Sequence, residues 1–263
     1  MAGPRRGEPA LSSSRSLRVS SWLRVFLLSE QNVSAKARAA RAAAELVKPG
    51  MTVGLGTGTT AALMLRRLGE RIRDEKLEFV AVPTSKATAE LAREMGVTLR
   101  DIDDVPALDL NIDGADEIDS QYRMIKGRGG ALLREKIVAC IAKRRVTVIT
   151  DDKRVDRLGA GAPVPVEVSR MGARHIERRL QKLGAQTELR RNDDGVWFIT
   201  DGGNMIIDCR FAEIADPAEL DARLKSVVGV FETGLFLGLC DVLVVGTAEG
   251  VDQIETRAPR WPG

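Results

Sequence analysis

Histidine is almost missing from this 263-residue chain, in which His175 is the only one. A Ser-His-Asp triad, a Cys-His pair or a histidine metal site would each have to use it. It lies in RMGARHIERRLQKLG, a charged helical stretch with no carboxylate–serine pattern nearby, and reads as a surface or interdomain residue. Acid–base chemistry would therefore fall to carboxylates and lysines. Cysteine is scarce as well. Cys140, Cys209 and Cys240 form no CxxC pair, which argues against structural zinc and a redox dithiol. Scattered thiols suit a reducing compartment, so a cytoplasmic location is expected, with the three cysteines acting as small apolar interior residues. Near the N-terminus the apolar run VFLL is too short for a secretory core or a membrane span. Neither sign of charge dominates: 40 basic and 37 acidic residues leave a net +3. That balance predicts no broad nucleic-acid surface, although a local group of cations can still hold a small anion, and with so short an apolar run no membrane partner is expected.

What remains is 44% hydrophobic and 29% charged, with 25 glycines and 10 prolines, the composition of an ordinary globular α/β chain. Residues 1–32 stand apart, with Arg5, Arg6, Arg15, Arg18 and Arg24 among serines and only Glu8 and Glu30 as acids. They read as a disordered leader or sequence upstream of the true start, with a faint likeness to a transit segment. SAKARAARAAAELVKPG then reads as an alanine-rich helix, with Ser34 as its N-cap and Pro49-Gly50 as its stop. Strands MTVGLG, EFVAVP, LDLNID and RRVTVIT alternate with helices TTAALMLRRLGERI, SKATAELAREMG and ALLREKIVACIAK. This alternation predicts an α/β fold, a Rossmann-like parallel sheet with helices on both faces. Its strand ends carry GTGTT, PTSKAT, DGADE and TDDK, and ligands in such folds gather at those ends.

From about Ala162 the order becomes β-α-β-β-α-β through PVPVEV, HIERRLQKLG, TELRR, VWFITDGGNMIIDCRF, a helix after Asp216-Pro217, and VFETGLFL. That order predicts a smaller ferredoxin-like α+β domain. DVLVVGT returns to the first sheet, and ETRAPRWPG reads as a loose tail. The expected division is a leader at 1–32, a catalytic α/β domain at 33–161 and 233–255, a small domain at 162–232 and a tail at 256–263.

Three segments carry candidate chemistry. In VGLGTGTTAALML a strand runs through glycines and hydroxyls into a helix. Free backbone N–H groups and the positive helix end meet at one point, where Thr57, Thr59 and Thr60 can add hydroxyls. The segment lacks the Gly-Lys-Ser/Thr ending of a Walker A loop and is not a full GxGxxG. Alone it is either a phosphate cradle or a threonine-capped turn. The second segment is DGADEIDSQYRMIKGRGGALLREK. Asp113 and Asp116 flank Gly114 and Ala115 at a strand end, where small residues allow both carboxylates to face one cavity. Equally, DG and DE pairs are common in turns. Glu117 and Asp119 are expected in solvent. Lys126 in KGRGG can hold an oxygen that gains negative charge, or mark a solvated turn. Glu135 lies between Arg134 and Lys136; those cations favour its ionised form, whereas burial raises its pKa. An exposed helical glutamate is the plainer alternative. The third group is Lys36 and Lys153, each able to reach a phosphate as a point charge or to stay at the surface.

In order and spacing, GLGTGTT, NIDGADEID, KGRGGALLREK and PVEV resemble the type A ribose-5-phosphate isomerase family over about residues 34 to 254. KGxGGAL-x-REK is the most specific of these motifs. The resemblance implies interconversion of ribose 5-phosphate and ribulose 5-phosphate in the non-oxidative pentose phosphate branch, with no metal or coenzyme. It implies Glu135 as catalytic proton acceptor through a cis-enediolate, Lys126 as oxyanion partner, and Asp113 or Asp116 as the group opening the furanose. Substrate contacts are implied at Lys36, Thr57, Gly58, Thr59, Thr60, Asp113, Gly114, Ala115, Asp116, Lys126, Gly127, Arg128, Gly129 and Lys153. A homodimer or homotetramer is implied as well. Two positions depart from the family pattern: Thr59 stands where many members have serine, and Arg128 where others have glycine, which leaves its backbone N–H for use and its side chain pointing outward. Sugar-phosphate-sensing domains and acyl-CoA transferases share the architecture. A sensor needs a DNA-binding helix-turn-helix, which residues 1–32 are too short and irregular to supply.

Overall fold

Alanine sets the position of the first helix. The computed structural model describes residues 34–256 together with Gly3, so the rest of the expected leader and the tail from residue 257 lie outside the described residues. Helix α1 covers residues 34–44, and Ala39, Ala40, Ala43 and Ala44 are fully buried. Small side chains bring α1 so close to the sheet that a Cβ on Gly246 would stand 2.1 Å from the Ala35 carbonyl oxygen. Ser34 is already helical rather than the N-cap, and its hydroxyl accepts a hydrogen bond from Arg38. The helix also ends before Pro49-Gly50. Arg71, inserted from the next helix, donates to the carbonyls of Ala44 and Val47 and so replaces the helical donors there.

The main sheet has the strand order β14-β13-β7-β4-β1-β2-β3. It comprises β1 (Thr52–Leu55), β2 (Val80–Pro83), β3 (Thr98–Leu99), β4 (Leu110–Gly114), β7 (Arg145–Thr150), β13 (Val242–Gly246) and β14 (Val251–Glu255). All neighbours are parallel except β14, which runs antiparallel to β13. Helices α2 (Thr59–Glu75), α3 (Lys86–Glu94) and α4 (Leu132–Cys140) connect the strands. The expected strands and helices of this sheet are present. The two-residue β3 and the half-polar β14 give too little alternation to be read from sequence. Glu255 pairs with Val242, and Thr256, assigned to the tail, donates to the Asp241 carbonyl. The order reverses direction between β1 and β4, and a crevice opens at such a switch point.

The second sheet is antiparallel with the order β11-β8-β10-β9. Its elements are β8 (Val164–Val168), α5 (Ala173–Lys182), β9 (Gln186–Leu189), β10 (Met205–Arg210), α6 (Pro217–Lys225) and β11 (Val230–Thr233). The β-α-β-β-α-β sequence and the two inner strands, first and third in order, match the ferredoxin-like expectation. Two stretches differ. VWFIT forms a single bridge, Arg191 to Trp197, and otherwise no regular structure, with the strand beginning only at Met205. VFETGLFL breaks at Gly234, so β12 (Leu235–Phe236) leaves for a three-stranded sheet with β6 (Met124–Ile125) and β5 (Glu117–Ile118). Gly234 permits the break, because a Cβ there would fall 2.3 Å from the Lys126 carbonyl oxygen.

Apolar burial supports both sheets. One cluster joins Leu55, Met64, Leu65, Leu68, Ile112 and Val244, and another joins Val166, Leu180, Ile207 and Leu224. A fully buried Leu or Ile contributes roughly 1.5–3 kcal/mol. Cys209 and Cys240 are buried and Cys140 is half-buried, all as free thiols, while His175 is exposed on α5. Among the described residues no helix is long and apolar enough to cross a membrane.

Candidate active site

The carboxyl ends of β1 and β4 meet across a glycine. At Gly56 an added Cβ would lie 2.0 Å from Asp113 Oδ1, so only glycine lets the two strand ends close. The Gly56 N–H donates to the Ile112 carbonyl, and the Thr57 N–H donates to Asp113 Oδ1 at 3.2 Å. Helix α2 follows, with Gly58 at its N-cap in the left-handed region (φ 105°) and no side-chain cap. Its first N–H groups therefore face the crevice without intrahelical acceptors. Lys36 from α1 reaches this point, its Nζ 3.2 Å from the Thr59 hydroxyl.

These groups border a cavity of about 450 Å³. Lys36, Thr57, Gly58, Thr59 and Thr60 form one wall, and Gly114, Ala115 and Asp116 another. Lys126, Gly127, Arg128, Gly129 and Glu135 close a third side, and Lys153 follows β7 at the rim. Asp113 lies just behind the lining, 6% exposed. All the expected site residues thus converge. Val148, Ile149 and Thr150 also line the cavity; they sit in an apolar strand with nothing to set them apart in sequence.

At the inner end is a buried charge cluster. Lys126 Nζ donates to the Gly114 carbonyl at 2.6 Å and stands 3.0 Å from Asp113 Oδ2 and 3.4 Å from Glu135 Oε2. Both carboxylate oxygens are at ion-pair distance but off the hydrogen-bond direction, so neither has a hydrogen-bond partner. Burial pushes the Glu135 carboxyl up to about 8; Lys126 pulls it down, and Asp113 and Asp116 reinforce the rise. Burial disfavours the Lys126 ammonium, but the charges of Asp113, Glu135 and Asp116 outweigh it and hold its pKa above the ordinary value. The cations beside Glu135 in sequence point elsewhere. Arg134 faces Asp201 at 3.7 Å, and Lys136 donates at 2.8 Å to Glu232, Thr233 and Leu235.

Two expectations need correction. Glu117 and Asp119 are not in solvent: they are 3% and 5% exposed. Glu117 accepts from the N–H groups of Gly159, Gly161 and Ala162, folding that loop around itself. Asp119 accepts from the N–H groups of Gln121 and Arg123 and from the Arg123 side chain. In the phosphate-loop candidate, the Thr57 hydroxyl is engaged at 2.8–3.3 Å with Thr84, Ser85 and Thr88, so it braces the loop from behind. Those three partners come from PTSKAT, a segment noted only as a strand end. The Arg128 side chain is exposed as expected, while its N–H donates to Asp116 Oδ2 at 3.0 Å.

Fold and cavity together define an α/β protein of the enzyme type in which an uncapped helix start and a buried lysine–carboxylate cluster border one cavity. The chain belongs to the ribose 5-phosphate isomerase A (phosphoriboisomerase A) family, whose model matches residues 80–250, and is thus an aldose–ketose isomerase. Ribose-5-phosphate isomerase A of Roseiflexus castenholzii is 49% identical over 219 residues, 83% of this chain and 94% of the relative. Its counterpart in Thermomicrobium roseum is 50% identical over 222 residues, 84% of this chain and 93% of the relative. Among solved structures, the Methanocaldococcus jannaschii ribose 5-phosphate isomerase A superposes with a TM-score of 0.81 at 40% identity, covering 86% of this chain and all of its own. A D-ribose-5-phosphate isomerase in complex with phospho-erythronic acid gives 0.81 at 38% identity, covering 85% of this chain and 98% of its own.

Proposed function

We propose that this cavity interconverts D-ribose 5-phosphate and D-ribulose 5-phosphate through a cis-enediolate, with Glu135 as the base. One observation carries the reading: Glu135 Oε2 is buried without a hydrogen-bond partner, 3.4 Å from Lys126 Nζ, and burial pushes its carboxyl up to about 8 against the pull of that lysine, a range that suits proton transfer near neutrality. The phosphate sits on the free N–H groups at the start of α2, with Lys36 and Lys153 as flanking cations. Asp113 or Asp116 assists opening of the furanose. Glu135 takes the proton from C2 of the open aldose and returns it to C1, while O1 gains a proton and O2 becomes the ketone oxygen. Lys126, held at 2.6 Å by the Gly114 carbonyl, offsets the charge on the enediolate oxygens.

The reading extends to the non-oxidative pentose phosphate branch, a cytoplasmic location, and a homodimer or homotetramer, which light scattering will resolve. It also divides the chain into a catalytic part, residues 33–161 and 233–255, and a small part, residues 162–232. Ketose formation from ribose 5-phosphate alone, with and without a chelator, tests it. Equal turnover in both is expected. No ketose without a second substrate, or loss on chelation, would contradict it.

A further inference from the structure

The 127–130 loop closes on a turn hydrogen bond from the Gly130 N–H to the Gly127 carbonyl at 3.0 Å, and a second donor to that carbonyl comes from the second sheet. Arg190, just after β9, extends its guanidinium between two sheets. Nη1 donates to the Gly127 carbonyl at 2.8 Å and to the Arg128 carbonyl at 3.1 Å. Nε and Nη2 form a fork on Asp208 of β10, at 2.8 and 2.5 Å. The side chain of Arg190 is 13% exposed, and its guanidinium lies 5.9 Å from the Phe198 ring centroid. Phe198 meets the same loop from below, since a Cβ on Gly130 would lie 2.2 Å from its ring tip.

In a trans peptide the carbonyl and the following N–H point in opposite directions. Gripping the Gly127 carbonyl from one side therefore turns the Arg128 N–H the other way, where it meets Asp116 Oδ2 at 3.0 Å. Gripping the Arg128 carbonyl turns the Gly129 N–H away from Arg190 as well, and Gly129 lines the cavity. The loop carries glycines in the left-handed region at Gly127 (φ 107°) and Gly130 (φ 78°), so its sequence leaves the peptide planes free to rotate. Asp208 fixes the fork, and the fork joins the Gly130 N–H in fixing the plane after Gly127 and holds the plane after Arg128.

We infer that Arg190, braced by Asp208, is a positioning residue that aims the Arg128 and Gly129 N–H groups at Asp116 and at the reacting end of the sugar. This makes the antiparallel sheet part of the catalytic apparatus. The inference rests on the isomerase reading above. Lysine is no substitute, because a single ammonium cannot span two carbonyls and a carboxylate in one plane.

The test is steady-state kinetics on the full chain for wild type, Arg190→Lys, Arg190→Met and Asp208→Asn, with affinity for phospho-erythronic acid and for inorganic phosphate. On the isomerase reading phosphate probes only the α2 end of the site, whereas the acid carries a carboxylate at the opposite end of its chain from the phosphate, where the reacting end of the sugar would lie. The Arg190 variants should lose 10- to 100-fold in kcat with KM changed less than threefold. They should bind the acid more weakly and phosphate as before. Asp208→Asn should lose less than either. Asp208→Asn also keeps the question open to measurement if the Arg190 variants misfold, and its kcat must then fall at unchanged phosphate affinity. Wild-type kcat in any folded Arg190 variant, or phosphate affinity falling in step with that for the acid, would overturn the inference. Wild-type enzyme that makes no ketose would instead sink the isomerase reading itself.

Discussion

Glu117 and Glu135 are both buried glutamates, 18 positions apart in one stretch, yet they are built for opposite ends. Glu117 receives three backbone N–H groups from the 159–162 loop at 2.6–2.7 Å. Glu135 has one oxygen with no hydrogen bond and a single cation at 3.4 Å. A carboxylate saturated with donors is locked in place and serves as a loop staple. One left short of donors keeps an accessible proton site, which is costly to the fold and useful for chemistry. Neither fate follows from residue type or burial alone; the number of donors decides it.

The comparison breaks most sharply at Glu135. Glu135→Gln should lower kcat by about 10³-fold or more with substrate affinity largely kept, within and beyond the ~10²–10⁴ typical of acid–base groups. It should also stabilise the protein. The Glu135 carboxyl is raised in the folded state from 4.5 to about 8, so its neutral form favours folding at low pH and that favour is lost as pH rises through 8. The variant's advantage should be nil below about pH 4.5, grow up to about pH 8 and level off at a few kcal/mol. Thermal or urea unfolding at pH 5 and pH 9 reads it directly.

At Glu117 the expected pattern is reversed. Glu117→Ala leaves three N–H groups without acceptors and should cost about 2–5 kcal/mol of stability, while kcat per folded molecule changes less than at Glu135. Denaturant midpoints together with active-site titration separate the two effects. A smaller effect lies in the pH profile. Under the proposed mechanism Glu135 acts as base only when ionised, so kcat/KM should fall about tenfold per unit below about pH 8. Asp113 raises the Glu135 pKa, so in Asp113→Asn the acid limb should move to lower pH, at reduced overall rate. The smallest change is expected for Thr57→Val. It removes the hydroxyl shared with Thr84, Ser85 and Thr88 and should weaken phosphate binding several-fold through loop mobility, measurable as a rise in KM.

Much of this was legible in the sequence, for physical reasons. The parallel sheet and its helices follow from alternating apolar strands and amphipathic segments, and the crevice follows from where the glycines fall. Local patterns did not carry the partners of buried polar groups. Glu117 and Asp119 look solvated until the 159–162 loop and Arg123 are brought to them. Lys136 looks like a charge flanking Glu135 until Glu232, Thr233 and Leu235 enclose it. Arg190 lies in TELRR, which reads only as a strand of the small domain, and the second sheet's placement brings it to the Gly127 and Arg128 carbonyls. In each case the decisive contact spans elements distant in sequence.

The central claim, that Glu135 moves the C2 proton, is tested most directly by the fate of that proton. Wild type and Glu135→Gln are incubated with ribose 5-phosphate in D₂O, and the C2 proton is followed by NMR. Wild type should form ribulose 5-phosphate and exchange the C2 position, while the variant binds the sugar and leaves its C2 proton in place. Exchange at the wild-type rate in Glu135→Gln would contradict the account.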